Sequence, residues 1–97
     1  MNLIDAVINN DIEMVRQLLE EGADPNVCID EAQLRPLHFA AQNNSLEVAK
    51  LLITAGADVH ARTIPDDETP LEVAKLHGHR AFVDLILAHS EGSGQIH

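Results

Sequence analysis

Aromatic residues are nearly missing from this chain of 97 residues: Trp and Tyr are absent, and Phe39 and Phe82 make up the 2% that remains. A core must then be assembled from Leu, Ile, Val and Ala, which suits short helices in close contact. Cations are also scarce, with six Lys and Arg against sixteen Asp and Glu, a formal net charge of −10. Nucleic-acid binding depends on cations that neutralise phosphates, and anionic membrane surfaces attract basic segments, so neither partner is expected. A single cysteine, Cys28, excludes an internal disulfide, and nothing argues for secretion. No cation or helix start that would stabilise a thiolate stands near it in sequence, so an ordinary thiol is expected. No apolar run approaches the roughly 18 residues of a membrane helix. The opening Met1-Asn2-Leu3-Ile4-Asp5 lacks the basic segment and apolar run of a signal peptide. A reducing cytoplasm is the default location.

Hydrophobic residues account for 45% of the chain, enough for one small domain near the lower size limit for a self-sufficient core. The acidity has two readings: it keeps a small protein soluble, or it matches a basic partner surface.

Internal repetition decides the architecture. Gly22-Ala23-Asp24 recurs 34 residues later as Gly56-Ala57-Asp58, and Arg35-Pro36-Leu37 recurs at the same interval as Thr69-Pro70-Leu71. Leu3, Leu37 and Leu71 share that step, as do Ala6, Ala40 and Ala74, and Leu18, Leu52 and Ile86. Each copy reads as two short helices. The first members run from Asn2 to Asn9, Pro36 to Asn43 and Pro70 to His77. The second members run from Ile12 to Glu21, Leu46 to Ala55 and Arg80 to His89. Apolar residues recur at helical spacing in the second members: Ile12, Val15, Leu18 and Leu19, then Val48, Leu51 and Leu52, then Phe82, Leu85 and Ile86. Pro36 and Pro70 fit a first helical turn, where a missing N–H costs nothing. Gly22, Gly56 and Gly78, with Asn10 and Asn44, fall where a left-handed residue closes a helix. Helices this short are unstable alone, so each pair must bury its apolar stripe against the next.

These residues and this spacing resemble the ankyrin-repeat family over roughly residues 1 to 89. Arg35-Pro36-Leu37-His38-Phe39-Ala40-Ala41 is similar to the family's Thr-Pro-Leu-His-x-Ala-Ala signature. Leu51-Leu52-Ile53-Thr54-Ala55-Gly56-Ala57-Asp58 is similar to its second-helix ending and loop. The resemblance implies an all-α, ankyrin-type helical solenoid of three helix-loop-helix repeats with short projecting loops. Its units are 1–27 as an N-terminal capping repeat, 28–61 as the central repeat and 62–89 as a C-terminal capping repeat, with 90–97 as a flexible tail. The chain departs from the family in places. The repeat is one residue longer than the family's 33, and both loop tips lack the family's Asp-x-x-Gly turn, so irregular tips are expected. The first copy lacks Pro-Leu-His and the third lacks Gly-Ala-Asp. Terminal caps would show these departures, and a complete three-repeat protein is expected. Thr69-Pro70-Leu71-Glu72 has the form of a capping box, whereas Arg35 in the preceding copy cannot accept a cap bond.

Catalysis is not expected. Asp66-Asp67-Glu68 clusters carboxylates on an exposed loop, and no Ser/His/Asp or Cys/His set or phosphate-cradling Gly loop can be placed. No cofactor is expected, and no metal either: of six histidines no two lie four apart on one helix, and His77 and His79 flank a turn. The resemblance implies that the His38 ring holds neighbouring loop backbone. Asn26 is similar to the asparagine that hydroxylases modify in animal ankyrin proteins, the alternative being a loop-stabilising side chain.

Carried over from the family's variable positions, the partner-binding surface is a concave face of first helices and loop tips. It comprises Asp30, Glu31, Gln33, Leu34, Gln42, Asn43, Asp66, Asp67, Glu68, Leu76 and His77, continued by Ile8 and Asn9 in the first copy. Leu34 and Leu76 either contact a partner or pack on neighbouring repeats, and the acidic tips are either contacts or solvated loops. The expected function is a protein-interaction module, an adaptor or stoichiometric inhibitor, acting on another protein with a basic, partly apolar face. The free chain is expected to be monomeric. A structural subunit or self-associating scaffold is the alternative.

Overall fold

A computed structural model describes residues 2–28 and 31–92. Among the described residues there are six helices and no strand: α1 (Leu3–Ile8), α2 (Ile12–Glu20), α3 (Pro36–Asn43), α4 (Leu46–Thr54), α5 (Pro70–Leu76) and α6 (Arg80–Gly92). They pair as α1/α2, α3/α4 and α5/α6, and the pairs stack: α3 lies between α1 and α5, and α4 between α2 and α6. The last helix continues past the expected end at His89 to Gly92, into the segment expected to be a flexible tail. The rest of that expected tail, 93–97, lies outside the described residues.

The sequence explains where each helix stops. Gly22 and Gly56 take φ of 98° and 106°, Gly78 takes 72°, and Asn10 and Asn44 take 54° and 56°. At every one of these five ends the following N–H reaches back into the last turn: Asp11 to Ala6 O, Ala23 to Leu18 O, Ser45 to Ala40 O, Ala57 to Leu52 O and His79 to Ala74 O, all at 2.9–3.0 Å. The pattern satisfies carbonyls that a helix terminus leaves open. Three of the starts are capped by side chains. Asn2 Oδ1 accepts from Asp5 N at 2.8 Å and Asp11 Oδ1 from Met14 N at 3.2 Å. Thr69 and Glu72 exchange both bonds of the capping box, at 3.2 and 3.0 Å.

The apolar stripes meet in one seam. Val15, Val48, Leu52, Phe82 and Ile86 are buried, and Ile12, Leu18, Leu19, Leu51 and Leu85 close over them. Ala6, Ala40 and Ala74 have no exposed surface, which lets α1, α3 and α5 approach closely. Burying a Val, Leu, Ile or Phe side chain is worth about 1.5–3 kcal/mol. The seam therefore outweighs single caps of about 1 kcal/mol as the source of stability.

Polar bonds set the register between pairs. Asn26 donates Nδ2–H to Gly56 O at 3.1 Å and accepts Asp58 N–H on Oδ1 at 2.7 Å, so its amide bridges two successive loops. The alternative role given to Asn26, stabilising a loop, is the one its contacts match. His38 lies fully buried at the start of α3, and its Nε2 faces Ala61 O at 3.1 Å and Glu68 O at 3.0 Å. Farther along, the His79 ring reaches Ala41 O at 2.9 Å.

Candidate partner-binding surface

The first helices present their last turns on one face. Ile8 and Asn9 at the end of α1, Gln42 and Asn43 of α3, and Leu76 and His77 at the end of α5 occupy equivalent places in the 34-residue register, and all six are exposed. Asn43 Nδ2 donates to Ile8 O at 3.3 Å and ties the first two columns together. Ile8 is 46% exposed and Leu76 is 71% exposed. Of the two readings for Leu76, packing on a neighbouring repeat does not describe a side chain this open. Leu34, its companion in that expectation, is half-buried.

The loop tip between α4 and α5 is irregular in sequence and well tied in structure. Thr63 O accepts Asp67 N–H at 2.8 Å, Thr63 N–H donates to Glu68 O at 3.0 Å, and Thr63 Oγ1 accepts Glu68 N–H at 3.1 Å. Asp67 takes a φ of 57°, and Gln33, its register equivalent in the preceding tip, takes 58°. These are left-handed positions that glycine usually fills. Arg62 Nη1 pairs with the Asp67 carboxylate at 3.2 Å, with both side chains largely exposed, so the pair contributes little stability.

A groove runs from this tip along α5, lined by Asp66, Asp67, Glu68, Glu72, Lys75 and Leu76. Four expected site residues thus come together: Asp66, Asp67, Glu68 and Leu76. Gln42, Asn43 and His77 extend the surface across the neighbouring columns. Glu31, Gln33 and Leu34 belong to the other tip and do not line this groove; Asp30 lies outside the described residues. Glu72 and Lys75 were not among the expected site residues. Both occupy register positions that α3 fills with the buried His38 and Ala41, a contrast visible only once the stack is folded. With Asp67 already paired, three carboxylates and one ammonium remain along the groove wall, a net negative potential around an apolar side chain.

The other polar groups have structural work. His38 Nδ1 accepts the Arg35 N–H at 3.1 Å, which leaves the proton of the neutral ring on Nε2, facing two carbonyls. Burial and the nearby Arg35 guanidinium push the ring below the ordinary histidine range, partly offset by those carbonyls. Among the described residues no group of three or more His, Cys, Asp or Glu could hold a metal ion. No helix among them is long and apolar enough to cross a membrane. A separate depression, lined in part by Ile4, Ala23, Val27 and Cys28, lies at the outer edge of the first pair, away from the strip.

The family model for ankyrin repeats, three copies, matches residues 3–95. The chain belongs to the ankyrin-repeat family. Among its curated relatives, mouse 2-5A-dependent ribonuclease is 42% identical over 73 residues, 75% of this chain and 10% of that protein. The rice potassium channel KOR1 is 40% identical over 91 residues, covering 94% of the chain and 10% of the channel. Human ankyrin repeat and SOCS box protein 16 is 41% identical over 76 residues, 78% of the chain and 17% of that protein. The chain therefore spans between a tenth and about a sixth of these relatives. What they share with it is the ankyrin-repeat segment. Ankyrin repeats are in general protein-protein interaction modules, and the repeat fold itself is typically non-catalytic.

Proposed function

We propose that this ankyrin-repeat chain acts as an adaptor or stoichiometric inhibitor that captures one partner protein on its concave first-helix face. The observation that carries the proposal is Leu76, 71% exposed and bordered by the Asp66, Glu68 and Glu72 carboxylates. An exposed apolar anchor within a polar rim is the common anatomy of a protein contact. The net charge of −10 adds long-range attraction for a basic surface and repels phosphate backbones. Capture takes place with the chain monomeric, in a reducing compartment where Cys28 stays a thiol.

The test uses one substitution with a precedent in the repeat and one on an exposed loop. Gln42 holds in the middle repeat the place of Leu76, so Leu76→Gln removes the anchor and keeps a helix former there. Combined with Asp66→Lys, it is expected to weaken capture of the partner from cell extract at least tenfold, about 1.4 kcal/mol, with helicity by circular dichroism unchanged. Capture at full strength by the double variant contradicts the proposal. Light scattering of the free chain separates it from a self-associating scaffold, which would show multiples of 10.6 kDa.

A further inference from the structure

The last turns of three packed helices carry Ile8, Gln42 and Leu76 at a single register position. The outer two are apolar and exposed, at 46% and 71%, and the middle one is an exposed carboxamide. Because α3 packs against both α1 and α5, and packed helices stand about 8–10 Å apart, the two apolar side chains are separated by roughly 16–20 Å along the strip. At a rise of 1.5 Å per residue an α-helix covers that distance in about 11–13 residues. Eleven residues is close to three full turns, so a helix places both ends of that interval on one side.

An extended segment also covers the span, in about five or six residues. It arrives, however, with open backbone N–H and C=O groups. The strip is made of helix ends that present no edge of alternating N–H and C=O groups; the carbonyls of Ala40, Ala41, Ala74 and Lys75 are taken by the closing turns, and Asn43 Nδ2 donates to Ile8 O. A segment that satisfies its backbone internally suits such a surface better. The charge distribution adds polarity to the arrangement. Asp66, Glu68 and Glu72 stand with the single ammonium of Lys75 at the Leu76 end, whereas Ile8 has one exposed carboxylate, Asp5, a turn before it and the uncharged Asn9 and Asn10 after it, so the Leu76 end is the more negative.

We infer that the strip receives an amphipathic helix of a partner protein, with large apolar side chains about 11 residues apart and Lys or Arg clustered beside the one that covers Leu76. This rests on the partner-binding reading above. Charge complementarity fixes which end of the helix is basic, and the polar residue at Gln42 calls for a polar residue between the two anchors.

The probe is a displayed library of a helical peptide of about 18 residues, five turns, with one face randomised, panned against the full chain. Enrichment of apolar residues 11 apart, with Lys or Arg beside one of them, is the expected result. The enriched peptides are expected to bind Ile8→Gln and Leu76→Gln at least about tenfold more weakly. Enrichment of another spacing, of acidic residues beside the anchors, or of nothing at all overturns the inference. Peptides of another spacing that still lose binding to Gln42→Lys would leave the partner-binding reading intact. Peptides indifferent to all three substitutions would remove that reading as well.

Discussion

At the start of α3 the fourth motif residue is His38, with no exposed surface, its ring stretched from the Arg35 N–H to the carbonyls of Ala61 and Glu68. At the start of α5 the same register position holds Glu72, exposed, its carboxylate folded back onto the Thr69 N–H three residues earlier. Both residues accept the N-cap amide. Only the inner one also fastens a loop. The difference follows from what covers each helix. The loop from Ala61 to Glu68 lies over α3 and offers carbonyls to a donor, so a ring with a donor on one side and an acceptor on the other fits. At α5 the residue faces water, and a local capping box suffices. The repeat motif sets the position of the residue, and its place in the stack sets which chemistry that position needs.

Exchanging the two residues breaks the comparison most directly. His38→Glu puts a carboxylate against two carbonyl oxygens at a fully buried position, and the expected loss is about 3–5 kcal/mol, seen as a collapse of the urea midpoint. Glu72→His, on the exposed copy of the same position, is expected to cost less than about 1 kcal/mol. Equal losses for the two would mean that burial does not distinguish them.

Next in size, Thr69→Ala removes the hydroxyl that accepts from Glu72 N–H and is expected to cost about 1 kcal/mol, checked by the same denaturation. Acidification acts on the inner site. The unfolded imidazole takes up a proton near 6.5, while the folded His38 does so only at lower pH. Stability from this residue is therefore complete above 6.5 and declines as pH falls from there toward the folded value. A lower urea midpoint at pH 5.5 than at pH 7.5, with nuclear magnetic resonance showing the His38 ring neutral and protonated on Nε2 at pH 6.5, is expected. A His38 ring half-protonated at 6.5 in the folded chain contradicts it.

The smallest effect belongs to Arg35. The α3 start has only half a capping box, because a guanidinium donates and cannot accept. Its Nε is also buried without a partner among the described residues, although Nη1 reaches Asn26 O at 3.0 Å. Arg35→Thr supplies the missing acceptor and removes the orphan donor at the loss of one bond. A gain of a few tenths up to about 1 kcal/mol in urea denaturation is expected; an unchanged or lower midpoint counts against this account of the cap.

The helices were legible because their signals are local. Period-3.6 stripes, Pro36 and Pro70 at helix starts, and Gly or Asn at each closure need only a few neighbouring residues, and the 34-residue step multiplies every signal. The loop tips were not legible to the same degree. Gln33 and Asp67 adopt a left-handed backbone without glycine, and for Asp67 its own N–H bond to Thr63 O and a bond from Arg62 hold the tip, which are features of the folded loop. The end of α6 at Gly92 was missed because Ser90-Glu91-Gly92 lacks the apolar periodicity that marks the rest of that helix. In the candidate surface, Leu76 and the acidic tip were readable from register and composition. Glu72 was not, because its capping role already accounted for a carboxylate there, and its second position on a groove wall depends on the third dimension.

The most direct test of the account is a nitrogen-proton resonance titration of the chain with its captured partner. Shifts confined to Ile8, Gln42, Asn43, Asp66 to Glu68, Glu72 and Leu76 are the predicted result. Shifts confined instead to Arg16, Leu19, Glu20, Lys50 and Leu51, in the depression between α2 and α4, would contradict it.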